Sequence, residues 1–169
     1  MVEIWIALAL FGGLVLAGAA LRLWGQLVRR RAMGLLPDDA TVHRGVSMRV
    51  MARGRHGLPG IASGRTHRTT ADVGYTDDRL VIGSNRGVLV DVRVDGGRFL
   101  TSVRTTGPGK LVIEGETPGA SGPVGSFRFE LGIARPEPWV DGLRRFVRVP
   151  EGRLGFGSAP ATDAAPEPP

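Results

Sequence analysis

From Ile4 to Leu21 the chain carries no charged side chain. As a helix, a run of that length is close to the minimum that crosses a hydrocarbon core of roughly 30 Å. Three readings compete: a cleaved secretion signal, a buried helix and a permanent membrane anchor. A signal peptide opens with a basic segment. Here "MVEIW" opens with Glu3 as its only charge before the core, although "AGA" at Ala17–Ala19 would serve as a cleavage site. Trp5 and Trp24 stand near the two ends, where indoles favour the headgroup layer. Arg22 breaks the run, but a long arginine near a helix end snorkels to the interface, and "LWGQLV" carries apolar character on to Val28. The expectation is a transmembrane anchor over residues 1–28, integral to the membrane and crossing once.

Charge sets the expected orientation. Arg22, Arg29, Arg30 and Arg31 follow the run, with no acid until Asp38. Positive residues stay cytoplasmic, so the N-terminus is expected outside a plasma (inner) membrane and the remainder inside. The absence of cysteine is compatible with a reducing compartment without requiring one. Residues 29–40 read as a basic juxtamembrane linker ending in "GLLPDDA". Residues 151–169, with "GSAPATDAAPEPP", are too poor in apolar surface to offset their ordering entropy and are expected to be disordered.

Between these ends lies room for one ordinary domain, residues 41–150. Its Gly and Pro content suits a turn-rich β domain. "VLVDVRV" places Val88, Val90, Val92 and Val94 on one face, and "SFRFEL" turns Phe127, Phe129 and Leu131 inward. Alternation of this kind marks half-buried antiparallel strands. Turn signals at "TDD", "SNRG", "DGG", "GPGK" and "TPGASGPVG" separate them. The predicted strands are 45–52, 69–75, 79–83, 88–94, 98–105, 111–115 and 126–132. "RPEPWVDGLRRFVRV" then predicts a helix, opened by proline and striped by Trp139, Leu143, Phe146 and Val147. Gly142 weakens it by roughly 1 kcal/mol. The fold class is mainly β: a single span, then a seven-stranded antiparallel barrel or sandwich with one C-terminal helix.

"YTDDRLVIGSNRGVLVDV" (Tyr75–Val92) resembles the "TDxRLVI…G…IPL.DI" strand pair of bacterial pleckstrin-homology-like (PH/GRAM-like) domains. "GKLVIEG", "FRFELG" and "PWVDGLRRF" follow in the order that fold uses. From about Thr41 to Val149 the chain is similar to small membrane-anchored PH-like proteins of the actinobacterial type. The resemblance implies a PH-like barrel closed by its C-terminal helix, with Trp139 as a plug. It also implies that the loop between the first two strands is the place for anion contact. That loop, "ARGRHGLPGIASGRTHR", supplies Arg53, Arg55, His56, Arg65 and Arg68. The spaced lysine signature of phosphoinositide binders is missing, so nonspecific attraction to anionic headgroups is the expectation there. Arg29, Arg30 and Arg31 are further candidates for lipid contact, or determinants of topology alone.

No residues support catalysis or a cofactor. His43, His56 and His67 lack metal-pair spacing, Asp77 and Asp78 have the place of turn residues, and "GLPGIASGR" lacks the Lys–Ser/Thr ending of a P-loop. The anchor and the few aromatics argue against nucleic acid despite the net charge of +6. The expected function is a non-enzymatic protein-interaction or membrane-apposed scaffold with an unknown protein partner. The alternative is an accessory subunit of a transporter or envelope-assembly complex, packing through small residues of "GGLVLAGAA".

Overall fold

The computed structural model describes residues 2–54, 58, 60–95, 99–119 and 122–148. An apolar helix, α1 (Val2–Met33), precedes seven strands: β1 (Thr41–Gly54), β2 (Thr66–Tyr75), β3 (Arg79–Ser84), β4 (Gly87–Arg93), β5 (Phe99–Thr105), β6 (Lys110–Gly119) and β7 (Gly122–Gly132). A short helix, α2 (Glu137–Leu143), and a 3-10 turn (Arg144–Phe146) follow. The strands form one antiparallel sheet in the order β4-β3-β2-β1-β7-β6-β5, curled into a half-barrel. The mainly β class, the seven strands and the C-terminal helix agree with the sequence reading.

β1 is the spine. Its first part pairs with β2 from Thr41–Tyr75 to Met51–Thr66, and its second part pairs with β7 from Met48–Leu131 to Gly54–Gly125. One strand serving both halves must bend, and a bulge between His43 and Val46 provides the irregularity. Gly45 sits there at φ 69°, a left-handed conformation that a Cβ disfavours. The concave face holds the core, with Met48, Val50, Leu80, Ile82, Ile113, Phe129 and Leu131 all essentially inaccessible.

Both ends of this interior are closed. At the end where β2 turns into β3, Trp139 of α2 is 7% exposed and meets Tyr75 edge-on at 5.1 Å between ring centroids. A Cβ at Gly142 would stand 2.5 Å from Tyr75 Cζ and clash with the phenol, so the helix-weakening glycine is what lets α2 sit this close. At the opposite end the β1–β2 connection contributes Leu58 and Ile61 to the same core.

Four sequence expectations need correction. The β3–β4 ladder shifts register after Ile82, where Gly83 pairs with Val88 but Ile82 pairs with Val90. The extra residue, Leu89, takes a core position, while Val88 packs with the outer cluster and Val94 lies beyond the strand, exposed. One inserted residue reverses the facing of everything beyond it. Second, Thr117–Gly125 is no simple turn: β6 and β7 continue as a hairpin to the pair Gly119–Gly122. Third, the C-terminal helix is shorter than its apolar stripe, because Val147 turns extended and bridges Leu100. Fourth, Arg29, Arg30 and Arg31 lie inside α1 rather than in a linker, and the segment after it folds back so that Leu36 is buried. The tail 151–169 lies outside the described residues.

Candidate functional site

α1 is long and apolar enough to cross a membrane. Its large side chains from Ile4 to Leu27 stand in the open, including Trp5, Phe11, Leu14, Leu21 and Trp24. Beyond Trp24 its surroundings change. Gly25 is buried, with Asn85 Cβ 3.2 Å from where its own Cβ would be. Ala32, Met33 and Leu36 form a second cluster with Val81 on the convex face of the sheet, separate from the barrel core.

Glycine makes this junction possible. A Cβ on Gly83 would stand 2.5 Å from Ala32 Cβ, and one on Gly74 would stand 2.6 Å from Leu36 Cδ1. Gly74 and Val81 are direct cross-strand partners, so β2 and β3 present a shallow track into which the helix settles. Polar groups lock it. Arg79 donates from Nη1 to the Leu35 carbonyl at 2.8 Å, just past the helix end, where free carbonyls need donors. Its remaining donors form a fork on Asp91, Nε–Oδ1 at 2.8 Å and Nη2–Oδ2 at 2.7 Å. That fork holds the Asp91 carboxyl below its ordinary pKa.

Asp72 joins three elements. It is 4% exposed on β2, and its Oδ1 accepts from the bulge amide of Gly45 at 2.8 Å. Arg29 Nε of α1 lies 3.5 Å from the same oxygen, an ion pair without hydrogen-bond geometry. The carboxylate thus connects the helix to the bulge in β1. The sequence reading missed Asp72, Gly74 and Gly83. Their only signal was an acid and two glycines at positions of β2 and β3 where alternation alone predicts solvent.

The arginines proposed for lipid contact separate into groups. Arg29 is engaged with Asp72, while Arg30 and Arg31 are exposed in the last turns of α1. Arg53 is exposed at the end of β1, Arg65 is exposed just before β2, and Arg68 is exposed on β2 opposite Arg49. Arg55 and His56 lie outside the described residues. Arg53, Arg65 and Arg68 therefore share the end of the β1–β2 ladder that carries Leu58 and Ile61. The described part of that loop is tied down: Gly64 donates to Ala52 O at 2.8 Å, and Arg86 of the β3–β4 turn donates to Gly60 O.

Much of the polar surface elsewhere on the sheet is paired. On the convex face of β1, β7, β6 and β5, Glu130 takes Arg49 and Arg128, and Glu114 takes Arg128 and both terminal nitrogens of Arg104, Nη1 and Nη2. This lattice floors an open groove of about 420 Å³ with Arg53 at its margin. In the β2–β3 turn the Thr76 hydroxyl donates to Asp78 at 2.6 Å and holds its carboxyl below the ordinary pKa. Its neighbour Asp77 takes Arg145. These acids fasten a turn and the C-terminal helix. Among the described residues no group of three or more His, Cys, Asp or Glu could hold a metal ion. Comparison with protein-family models, with curated proteins and with solved structures finds no match for this chain.

Proposed function

We propose that the chain is a single-span membrane protein that presents its β domain on the cytoplasmic side as a non-enzymatic, membrane-apposed scaffold for a protein partner. The observation carrying this reading is the junction of α1 with β2 and β3. The exposed apolar length of the helix needs a bilayer, and the docked length needs the domain. A helix that served only for export would have no use for Gly25, Ala32 and Leu36 fitted to Asn85, Gly83 and Gly74. The PH-like reading of the domain rests on the sequence resemblance of Tyr75–Val92, and a seven-stranded half-barrel followed by a short helix is compatible with it. The step from Glu3 to Arg29, Arg30 and Arg31 supports the cytoplasmic placement. A second reading, an accessory subunit of a transporter or envelope-assembly complex, is favoured by one feature. Gly12, Gly13 and Gly18 leave open space beside the helix, where a partner helix would fit closely.

Reporters fused after Pro169 test the placement. A reporter active only in the cytoplasm is expected to give signal, and one active only after export is expected to stay silent. The reverse pattern, or a mature chain beginning near Ala20, removes the cytoplasmic scaffold.

A further inference from the structure

The junction fixes more than attachment. Gly25 packs on Asn85, Ala32 on Gly83 and Leu36 on Gly74. Going down α1 is therefore going backward along β3, and the β3–β4 turn points toward the N-terminal, exposed part of the helix. β2 is antiparallel to β3 and pairs Ala71 with Ser84. Its first residues run past that pair to the same end, where the Thr69 hydroxyl meets Asn85 Oδ1 at 3.0 Å. The β1–β2 loop and the β3–β4 turn thus form the end of the domain nearest the span.

The same contacts limit how deep the helix lies. Asn85 and Arg86 cannot sit in hydrocarbon, where polar groups lack partners. Asn85 touches Gly25, so the hydrocarbon ends before Gly25, earlier than Val28. Ile4–Leu21 still covers about 27 Å at 1.5 Å per residue, and Trp24 falls in the headgroup layer. Asn85 is then at headgroup depth. The chain segment at the end nearest the span is free of acids. No Asp or Glu occurs from Arg53 to Ala71, a stretch that exposes Arg53, Arg65 and Arg68 without a carboxylate partner among the described residues. The opposite end carries both signs: Asp38, Asp39, Asp77, Asp78 and Asp95 stand there with Arg44, Arg79, Arg93 and Arg145.

We infer that the docked helix holds the domain in one orientation, with the β1–β2 and β3–β4 end against an anionic leaflet and Arg65, Arg68 and Arg86 on its headgroups. The end bearing Asp39, Asp77 and Asp95 faces away and stays free for a partner. This rests on the single-span reading. Fixed orientation means the arginines meet lipid without a separate binding step, and each adds attraction near a negatively charged surface.

The chain has no cysteine, so single introduced cysteines carry a fluorophore cleanly. The full chain is reconstituted in nanodiscs containing phosphatidylglycerol, with labels on Leu14→Cys, Ser63→Cys, Arg86→Cys, Asp39→Cys and Asp95→Cys. Quenching by lipids with a shallow nitroxide is read at each site. The expectation is strong quenching at residue 14 by deep nitroxides, and shallow quenching severalfold greater at 63 and 86 than at 39 and 95. No quenching at 14 removes the single span itself. Quenching at 14 with equal values at the other four sites keeps the span and overturns the orientation, leaving that end open to an acidic protein instead. Moving the nitroxide from phosphatidylglycerol to phosphatidylcholine is expected to weaken quenching at 63 and 86, and equal quenching overturns the preference for anionic lipid. Gly83→Leu, which forces Ala32 off the sheet, is expected to lower the values at 63 and 86 toward those at 39 and 95. A folded Gly83→Leu chain that keeps them high shows that docking does not set the orientation.

Discussion

The two faces of the sheet are packed by opposite means. The concave face is filled by volume: Phe129, Leu131, Ile113 and Met48 interdigitate, with Trp139 and Leu58 at the two ends. The convex face over β2 and β3 is packed by omission. Gly74 and Gly83 supply no side chain, so α1 rests almost on the backbone, and Val81 with the half-buried Val88 adds the apolar bulk there. Polar groups supply what area does not, namely the Asp72–Arg29 ion pair and the Arg79 hydrogen bond to Leu35. The concave core tolerates exchanges that conserve volume. The convex junction depends on shape and on two polar contacts, and a single added carbon opens it. A core secures the domain, whereas a backbone-close junction secures its angle to the helix.

The largest effect belongs to the concave side. Trp139→Ala removes the plug between Tyr75 and His43 and is expected to destabilise the domain by about 3–5 kcal/mol, the range for truncating a buried aromatic. Equilibrium denaturation of the chain in detergent measures it. A loss under about 0.5 kcal/mol, as at surface positions, would mean that the core does not run through α2.

Next comes the convex side. Gly83→Val places carbon where Ala32 Cβ lies and is expected to cost about 1–3 kcal/mol, the range for overpacking. The loss should take the form of release of the helix: protease should reach the segment 34–40 while Trp139 remains buried. Simultaneous loss of both would merge the two faces into one cooperative unit and end the contrast drawn between them.

Legibility follows the same division. Period-two alternation reports a face that needs large apolar residues, so the concave strands, Phe127, Phe129 and Leu131 among them, were readable to within a few residues. Alternation fails where a bulge changes parity, and Leu89 entered the core unseen for that reason. It also fails where burial is achieved without side chains. Gly74 and Gly83 read as weak strand positions, and Asp72 read as an ordinary outward polar residue. Of the basic candidates, Arg53, Arg65 and Arg68 stand exposed at one end of the molecule, but the sequence could not distinguish Arg29 from Arg30 and Arg31. Which arginine faces the sheet depends on the rotation of α1 about its axis, and that is set by Gly25 and Ala32, small residues common in any apolar helix.

Smaller again is the buried pair. Arg29→Gln leaves the Asp72 carboxylate with the Gly45 amide alone, and the expected cost is about 1 kcal/mol, at the low end for a buried group that loses a partner. Asp72→Asn keeps an acceptor for Gly45. The double variant Arg29→Gln/Asp72→Asn should therefore cost less than the sum of the two single changes. Strict additivity in denaturation would show that the pair at 3.5 Å does not couple the helix to the bulge in β1.

The smallest effect is a pH dependence, and it separates the two faces by order of loss. Arg79 holds Asp91 in its ionised form through the fork, so the folded-state pKa of Asp91 lies below the unfolded one. The sign follows. The unfolded chain binds the proton more readily, so this contribution is complete above the ordinary carboxylate pKa of about 3.9 and is lost as pH falls through the lower folded value. Asp91 is 37% exposed, so screening by solvent limits the contribution to under about 1 kcal/mol. Its protonation also frees the arginine whose third bond secures Leu35 at the end of α1. Acid should therefore loosen the convex junction before the concave core, with protease cutting within 34–40 while Trp139 fluorescence, read with Trp5→Phe and Trp24→Phe in place, stays that of a buried indole. Arg79→Gln should flatten the acid limb of the stability curve and raise cleavage at neutral pH to the level the parent reaches only in acid. Parallel acid limbs for the parent and Arg79→Gln would rule out Asp91 as the titrating group. Core loss preceding cleavage would show that the junction outlasts the core in acid.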